Sequence, residues 1–227
     1  MLLLQFSTSH YCRKARLALG YKHIHYRVEN LTPGVHRFKT APLTGLTTVP
    51  TLLPELETAP KAIGDSTAIL QFLDQHCPTP SLSLDAPDDN QKVWMLEDWL
   101  DESLGTATRF VYYDYRAGAG KHIDPSLMSQ VVIQIVRSQY GMNAARVAIA
   151  AQRLKTGLDY LEHRWTSYLV GDRLTAADLT AAALLSPLML IPHYRQTYPW
   201  LSDRIRQVHD QCNTPLPPGL SSGEPKE

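Results

Sequence analysis

Residues 9–16 are Ser9-His10-Tyr11-Cys12-Arg13-Lys14-Ala15-Arg16, and they follow an apolar stretch, Met1 to Phe6. The apolar stretch predicts a buried strand, and the hydroxyl residues at 7–9 are good N-caps for a helix that starts there. Gly20 predicts a left-handed C-cap that ends this helix. A helix N-terminus presents unpaired N–H groups and the positive end of the helix dipole, so this turn is suited to holding a thiolate or a carboxylate.

The composition is that of a globular protein with a substantial core. Of 227 residues, 44% are hydrophobic and 19% are charged, and the formal net charge is zero. This balance argues against nucleic acid or a membrane surface as a partner bound by bulk electrostatics. No run is long enough to span a membrane, and the first residues lack the features of a signal peptide. Three cysteines, Cys12, Cys77 and Cys212, match neither a metal site nor a disulfide framework, which favours a reducing, cytoplasmic environment.

Strand patterns are confined to the first third of the chain, and helical patterns follow. Residues 78–90 are rich in proline, serine and aspartate, which predicts a linker. We therefore predict an α/β domain over residues 1–77 and an all-helical domain over residues 91–212. Residues 213–227 contain few core residues and many prolines and glycines, which predicts a poorly ordered tail.

Two short motifs mark the starts of predicted elements, one of a strand and one of a helix. Val49 and Pro50 begin an apolar strand, and proline is tolerated at a strand start because it cannot donate to the ladder. Asp65 and Ser66 precede an apolar helical stretch, so either is a good N-cap. Taken alone, these motifs are a strand start and a helix cap.

Two other local patterns indicate structural features rather than a functional site. Leu174 to Leu179 combines a capping box, with Thr175 as N-cap and Asp178 at the third helical position, with a hydrophobic staple. The nearly all-apolar helix that follows is expected to be buried on most sides. His23 and His25 share one face of a predicted strand without a third ligand, so we predict no metal site.

In order and spacing, these motifs resemble the cytosolic glutathione transferase family over essentially the whole chain. Residues 9–19 resemble the Ser-x-x-Cys start of that family's first helix, and residues 48–52 resemble its Val-Pro-x-Leu segment, whose proline is cis. Residues 64–66 resemble its acidic-Ser pair. Residues 175–178 and 198–199 resemble the capping box and last helix of its C-terminal domain. The resemblance implies a thioredoxin-like N-terminal domain followed by an all-α domain, the glutathione transferase fold.

The resemblance also implies a role for the start of the first helix. Ser9 occupies the position of the serine that activates the glutathione thiol in serine-type classes. Ser7 and Tyr11 are neighbours that could take its place, and Cys12 is a further candidate near the thiol. Cys12 follows Ser9 by three residues, but the attacking position of a thiol transferase is serine here. Disulfide reduction is therefore a less favoured activity than conjugation.

Further residues acquire roles in the same way. Val49, held by a cis bond at Pro50, would pair its backbone with the cysteinyl part of glutathione. Asp65 and Ser66 would bind the γ-glutamyl end, and Lys39 the glycyl carboxylate. The expected electrophile pocket comprises four aromatic residues: Trp99, Tyr112, Tyr113 and Tyr115.

The function implied is conjugation of glutathione, as a co-substrate, to small hydrophobic electrophiles in detoxification, with no tightly bound cofactor. Glutathione-dependent isomerisation, dehalogenation or peroxide reduction on the same site is an alternative. A non-catalytic glutathione-binding interaction module is another. The resemblance further implies a homodimer.

Overall fold

The computed structural model describes residues 1–220. Four strands form one mixed sheet in the order β2-β1-β3-β4, in which β1 pairs parallel with β2 and antiparallel with β3, and β3 pairs antiparallel with β4. The elements of this N-terminal part are β1 (Leu2–Gln5), α1 (His10–Tyr21), β2 (Arg27–Asn30), α2 (Arg37–Thr44), β3 (Thr51–Leu53), β4 (Ile63–Gly64) and α3 (Ser66–His76).

The remaining described chain is helical, which confirms the predicted fold of a thioredoxin-like domain followed by a helical domain. The helices are α4 (Pro87–Asp98), α5 (Thr106–Ala117), α6 (Leu127–Gln139), α7 (Ala144–Glu162), α8 (Ala176–Leu185), α9 (Pro192–Thr197) and α10 (Pro199–Gln211). A π-helical turn (Trp99–Gly105) joins α4 to α5, and short 3-10 turns follow α5 and α8.

Helix α8 is the centre of the helical domain and packs against α1 and α4. Every residue of α8 is buried. Its N-terminus carries the predicted capping box: the Asp178 carboxylate accepts hydrogen bonds from the backbone N–H and the hydroxyl of Thr175, at 3.0 and 2.9 Å. The predicted capping box and the predicted burial of this helix are both confirmed.

Several predicted boundaries are corrected by tertiary contacts. Strand β2 begins at Arg27 rather than at His23, so His23 and His25 precede the strand. Helix α1 continues through Gly20, so this glycine is not a C-cap. A Cβ at Gly20 would lie 2.2 Å from the Cys212 carbonyl oxygen. Glycine is needed here because the chain after α10 packs directly on α1.

This packing also corrects part of the prediction of a poorly ordered tail. Residues 213–220, named here the C-terminal segment, lie against α1 and α10, with Pro217 buried. The backbone N–H of Thr214 donates to the His209 carbonyl at 3.0 Å. The remainder of the predicted tail, residues 221–227, lies outside the described residues.

A group of charged side chains from α1, α4 and the π-helical turn lies inside the protein. The Lys14 ammonium is fully buried and pairs with both Glu97 and Asp101. It also donates to the Thr67 hydroxyl at 2.8 Å. Burial raises the pKa of Glu97 despite the neighbouring Lys14. A buried network therefore joins α1, α3 and α4.

Candidate active site

The register of the sheet brings three segments to one edge: the turn that contains Ser9, the Val49–Pro50 segment, and the Asp65–Ser66 pair. Leu4 pairs with Thr51, so continuing the antiparallel register places Pro50 beside Gln5, at the end of β1. Thr51 also pairs with Gly64, so the same continuation places Pro50 beside Asp65. The turn that follows β1, the start of β3 and the start of α3 therefore meet. Helices α1 and α3 both begin at this edge and direct the positive ends of their dipoles towards it.

Ser9 is the N-cap of α1. Its backbone is extended (φ −70°, ψ 128°), and its hydroxyl oxygen accepts a hydrogen bond from the Cys12 N–H at 3.3 Å. A serine hydroxyl has one hydrogen and two lone pairs, so this cap leaves the hydrogen available to rotate towards a sulfur atom at the helix start. Ser9 is partly exposed.

Of the residues that could replace Ser9, Ser7 is exposed in the preceding turn, whereas Tyr11 and Cys12 are engaged elsewhere. The Tyr11 hydroxyl donates to the Asp101 carbonyl at 3.1 Å, and burial raises the pKa of Tyr11 to about 12. Cys12 is completely buried, and desolvation by this burial raises the pKa of its thiol. A reactive cysteine needs the opposite environment, an exposed thiol with a depressed pKa. The geometry favours Ser9 over both.

At the facing motifs, the Val49–Pro50 peptide bond is cis, as the resemblance implied. Asp65 is the N-cap of α3, and its carboxylate accepts a hydrogen bond from the Ala68 N–H at 3.0 Å. Asp65 has φ +77°, a region that non-glycine residues adopt at a cost and that is enriched at functional sites. Asp65 is exposed, whereas Ser66 is 2% exposed.

Lys39 lies on α2 and faces β2. Its ammonium pairs with the Glu29 carboxylate, with the two carboxylate oxygens at 2.5 and 2.6 Å. Both side chains are nearly half exposed, so this pair is weak and exchangeable. Lys39 can therefore reach a ligand only by leaving Glu29.

The structure does not bring the four aromatic residues of the expected electrophile pocket together. Trp99 packs edge-on against Tyr160 and lines a cavity of about 560 Å³ that includes none of the three tyrosines. Tyr112 accepts a hydrogen bond from Arg116 at 2.9 Å, and Tyr115 packs on Gly120. Trp99 therefore lines a different cavity from the one expected at the tyrosines of α5.

Sequence reasoning missed Arg109, which lies next to Tyr11. Its guanidinium sits 4.8 Å from the ring centre of Tyr11 and 4.6 Å from that of Tyr140. Within residues 1–220, no carboxylate pairs with Arg109. His10 is buried beside it, and burial with the Arg109 charge lowers the pKa of His10 well below its usual value. The only sequence feature that pointed to Arg109 is its position one helical turn before Tyr113, which places both residues on the same face of α5.

Comparison with protein families agrees with this geometry. Residues 3–81 match the model of the glutathione S-transferase N-terminal domain, and residues 136–213 match that of the glutathione S-transferase C-terminal domain. The chain belongs to the glutathione S-transferase family. A comparison with curated protein sequences gives no significant match.

Solved structures share the fold over nearly the whole chain. A glutathione S-transferase from Methylobacterium radiotolerans, in complex with glutathione sulfonate, is 21% identical, with 95% of this chain and 96% of that chain covered and a TM-score of 0.69. The beta-etherase from Sphingobium sp. is 18% identical, with coverages of 92% and 94% and a TM-score of 0.71. A bacterial zeta-class maleyl pyruvate isomerase is 19% identical, with coverages of 94% and 95% and a TM-score of 0.65. At these identities the similarity establishes the fold. No helix within residues 1–220 combines the length and apolarity needed to cross a membrane.

Proposed function

We propose that this chain is a glutathione transferase in which the Ser9 hydroxyl donates a hydrogen bond to the glutathione thiolate. The observation that carries the proposal is the position of Ser9, which caps α1 at the sheet edge where β3 and α3 also begin. The thiolate then attacks a small hydrophobic electrophile. A sulfur–carbon bond forms, and either a leaving group departs with its electron pair or a proton adds to the neighbouring carbon.

The energy required for thiol activation is modest. A free thiol has a pKa near 8.5, and lowering it by two units requires about 2.7 kcal/mol of selective stabilisation. A hydrogen bond to a charged group contributes about 1.5–3 kcal/mol, and a helix N-terminus contributes about 0.3–1 kcal/mol. Ser9 and the start of α1 together supply energy of this order. Ser9 does not remove the proton, which leaves to solvent.

The remaining glutathione contacts follow from the same edge. In this proposal the Val49 backbone pairs with the cysteinyl unit, and Pro50 holds Val49 in place. The exposed Asp65 carboxylate binds the γ-glutamyl amine, while Ser66 at the start of α3 binds its carboxylate. Lys39 exchanges Glu29 for the glycyl carboxylate.

The same thiolate would serve other reactions. Two structures of this fold are named a beta-etherase and an isomerase, so ether cleavage and isomerisation are the nearest alternatives to conjugation. Dehalogenation and peroxide reduction also require only an activated thiolate. A non-catalytic glutathione-binding module would need no thiolate stabilisation. Tyr112, Tyr113 and Tyr115 remain our proposed lining on α5 for the electrophile, and the family supports a homodimer.

The decisive experiment separates the chemical role of Ser9 from its role as a cap. We would titrate the pKa of bound glutathione and measure turnover with an aryl halide, an isothiocyanate and a peroxide. The variants are Ser9→Ala and Ser9→Gly. Glycine is nearly as good an N-cap as serine, whereas alanine is not. We expect both variants to raise the pKa of bound glutathione by one to two units and to slow turnover by about 10–100-fold.

The exposed Ser7, in the same turn, gives the matched control, and Ser7→Ala should retain wild-type turnover. If Ser9→Gly kept the wild-type pKa of bound glutathione, the serine would be a cap only and the proposal would be wrong. Glutathione binding without turnover in the wild type would instead establish the non-catalytic module.

A further inference from the structure

Helix α6 carries more apolar side chains than its packing in the fold accounts for. Seven of its 13 residues are leucine, methionine, valine or isoleucine, and its one charged residue is Arg137. Successive residues of an α-helix are about 100° apart, so these seven side chains cover well over half of its circumference. A helix of this kind is expected to be buried on most sides. Within α6, which lies entirely in the described part of the chain, only Ile133 is buried.

The uncovered side chains form one stripe along the helix. Leu127, Val131 and Ile135 are four residues apart and share one face of α6, with Met128 beside them. Leu127 is 86% exposed, Met128 70%, Val131 53% and Ile135 52%. Single exposed apolar residues are ordinary on protein surfaces, whereas a contiguous group of them marks an interaction site. We name these four residues the α6 apolar face.

The other side of α6 is attached to α5. The Arg137 guanidinium pairs with the Asp114 carboxylate at 2.7 Å, and the Arg116 guanidinium donates to the Ser129 hydroxyl at 3.0 Å. The Ser126 hydroxyl oxygen caps the start of the helix by accepting from the Ser129 N–H. The α6 apolar face is therefore presented on a helix that is already formed and docked, which lowers the entropic cost of binding a partner.

The charge around this face favours an uncharged partner surface. The residues that flank the stripe on the exposed side of α6 are Gln134, Ser138 and Gln139, all of them neutral. A helix that binds a membrane surface carries lysines and arginines on its polar side. Within residues 127–139 the single cation, Arg137, is already paired with Asp114. A second copy of the same neutral face would meet no electrostatic repulsion across the contact.

The spacing of the stripe also fits a second copy of the chain. Val131 is the middle residue of the series formed by Leu127, Val131 and Ile135. If two α6 helices pack antiparallel about a two-fold axis at Val131, Leu127 of each copy meets Ile135 of the other. The two Val131 side chains then meet each other. A two-fold interface requires this self-complementarity, because the same surface is used by both copies.

The size of the face indicates how strong such a contact would be. A helix of 13 residues is about 20 Å long. One face of it covers less than the about 800 Å² that each partner contributes to a standard interface. Contacts below that size are typical of transient complexes rather than of obligate dimers.

We propose that the α6 apolar face forms a weak, reversible two-fold contact between copies of this chain, with the two α6 helices antiparallel and Val131 at the axis. This association does not depend on glutathione binding or turnover. It is also independent of any other interface: if the chain forms a homodimer through a different surface, the α6 contact joins two such dimers.

The first experiment measures the mass of the full-length protein by sedimentation equilibrium over a range of concentrations. We expect the wild-type mass to rise with concentration. Val131→Glu places two carboxylates against each other at the axis and should weaken the association about tenfold or more. Val35→Glu makes the same change at an exposed valine of the N-terminal domain and should associate as the wild type does. Circular dichroism verifies the fold of each variant.

The second experiment tests the antiparallel arrangement by exchanging charges. Leu127→Lys combined with Ile135→Glu should associate, because each lysine meets a glutamate of the other copy. Leu127→Lys combined with Ile135→Lys changes the same positions but places like charges together, so this protein should not associate. The two positions are eight residues apart on one helix, so they do not pair within a single copy.

A wild-type mass that stays constant with concentration and equals that of Val131→Glu would overturn the proposal. Equal association of the two double variants would overturn the antiparallel contact. Vesicles of phosphatidylcholine and phosphatidylglycerol test the alternative occupant. If the wild type bound these vesicles without associating with itself, and Val131→Glu did not bind them, the face would belong to a membrane contact and the proposal would be wrong.

Discussion

The Lys14 ammonium lies 2.8 Å from the Thr67 hydroxyl, which joins the first turns of α1 and α3. Thr67 follows Ser66 and also donates to the Glu97 carboxylate at 3.0 Å. A buried ion network therefore holds together the N-termini of α1 and α3, which meet at the sheet edge. This network fixes the spacing between Ser9 and Asp65, on which the proposed site depends.

Replacing Lys14 with methionine should destabilise the protein strongly. The variant leaves the buried Glu97 and Asp101 carboxylates without their cation, and removing one partner of a buried pair typically costs about 3–5 kcal/mol. Urea denaturation followed by circular dichroism measures the loss. Lys92→Met, which breaks an exposed pair with Asp89, is the matched control and should stay close to wild-type stability. A Lys14→Met variant as stable as Lys92→Met would show that the network is not structurally important.

Replacing Asp65 with asparagine should weaken glutathione binding while preserving the fold. Asparagine caps helices as well as aspartate and tolerates the positive φ of this position, so only the charge is removed. We expect the Kd for glutathione to rise about tenfold, because the γ-glutamyl amine loses its counter-charge. Calorimetric titration gives the Kd, and thermal unfolding verifies the fold. An unchanged Kd would assign Asp65 to capping alone.

Replacing Gly20 with alanine should destabilise the protein, although alanine favours helices over glycine by about 1 kcal/mol. The new methyl group would lie 2.2 Å from the Cys212 carbonyl oxygen and 2.4 Å from the Thr214 hydroxyl oxygen. Either α1 or the C-terminal segment must shift, at a typical cost of about 1–3 kcal/mol. Denaturant unfolding measures the stability, and limited proteolysis reports release of the C-terminal segment. A gain in stability would contradict the observed packing.

Acidification should destabilise the protein partly through His209. Burial lowers the pKa of His209 from 6.5 to about 4, so the unfolded chain binds a proton between these values and the folded chain does not. Stability therefore falls as the pH drops from about 6.5 to 4, by up to about 3 kcal/mol for this group. His10 contributes in the same direction, so the comparison must isolate one histidine.

Denaturant unfolding at several pH values tests this expectation in the wild type and in His209→Gln. The variant should lose less stability between pH 6.5 and 4 than the wild type. His193→Gln, which removes an exposed histidine, is the matched control and should follow the wild type. A His209→Gln variant with the full wild-type pH dependence would contradict the role assigned to this buried imidazole.

The local motifs were predictable because their determinants lie within a few residues. Ser9 caps α1, Asp65 caps α3, and Thr175 with Asp178 forms a capping box, as hydrogen bonds between near neighbours dictate. The change from strand patterns to helical patterns gave the two-part architecture for the same reason. Hydrophobic periodicity depends on local geometry, and the printed chain contains it in full.

The arrangement of the site depended on contacts between distant segments. Nothing near Gly20 in the sequence predicts that Cys212 will contact it. The sequence pattern therefore indicates a helix cap at Gly20, whereas the glycine is required by the close approach of the Cys212 backbone. Lys14 and Asp101 are 87 positions apart, and only the packed structure makes them a buried pair.

By itself, the sequence determined the change from strand to helical segments and the helix caps at Ser9, Asp65 and Thr175, and with them the family. The tertiary structure alone decided that the Tyr11 hydroxyl is hydrogen-bonded to the Asp101 carbonyl, and that Trp99 lines a cavity without the tyrosines of α5. It also decided that Arg13 and Arg16 line one cavity, in which no acidic side chain lies within residues 1–220. The physical reason is that burial and charge pairing depend on which distant surfaces meet, and no local pattern contains that information.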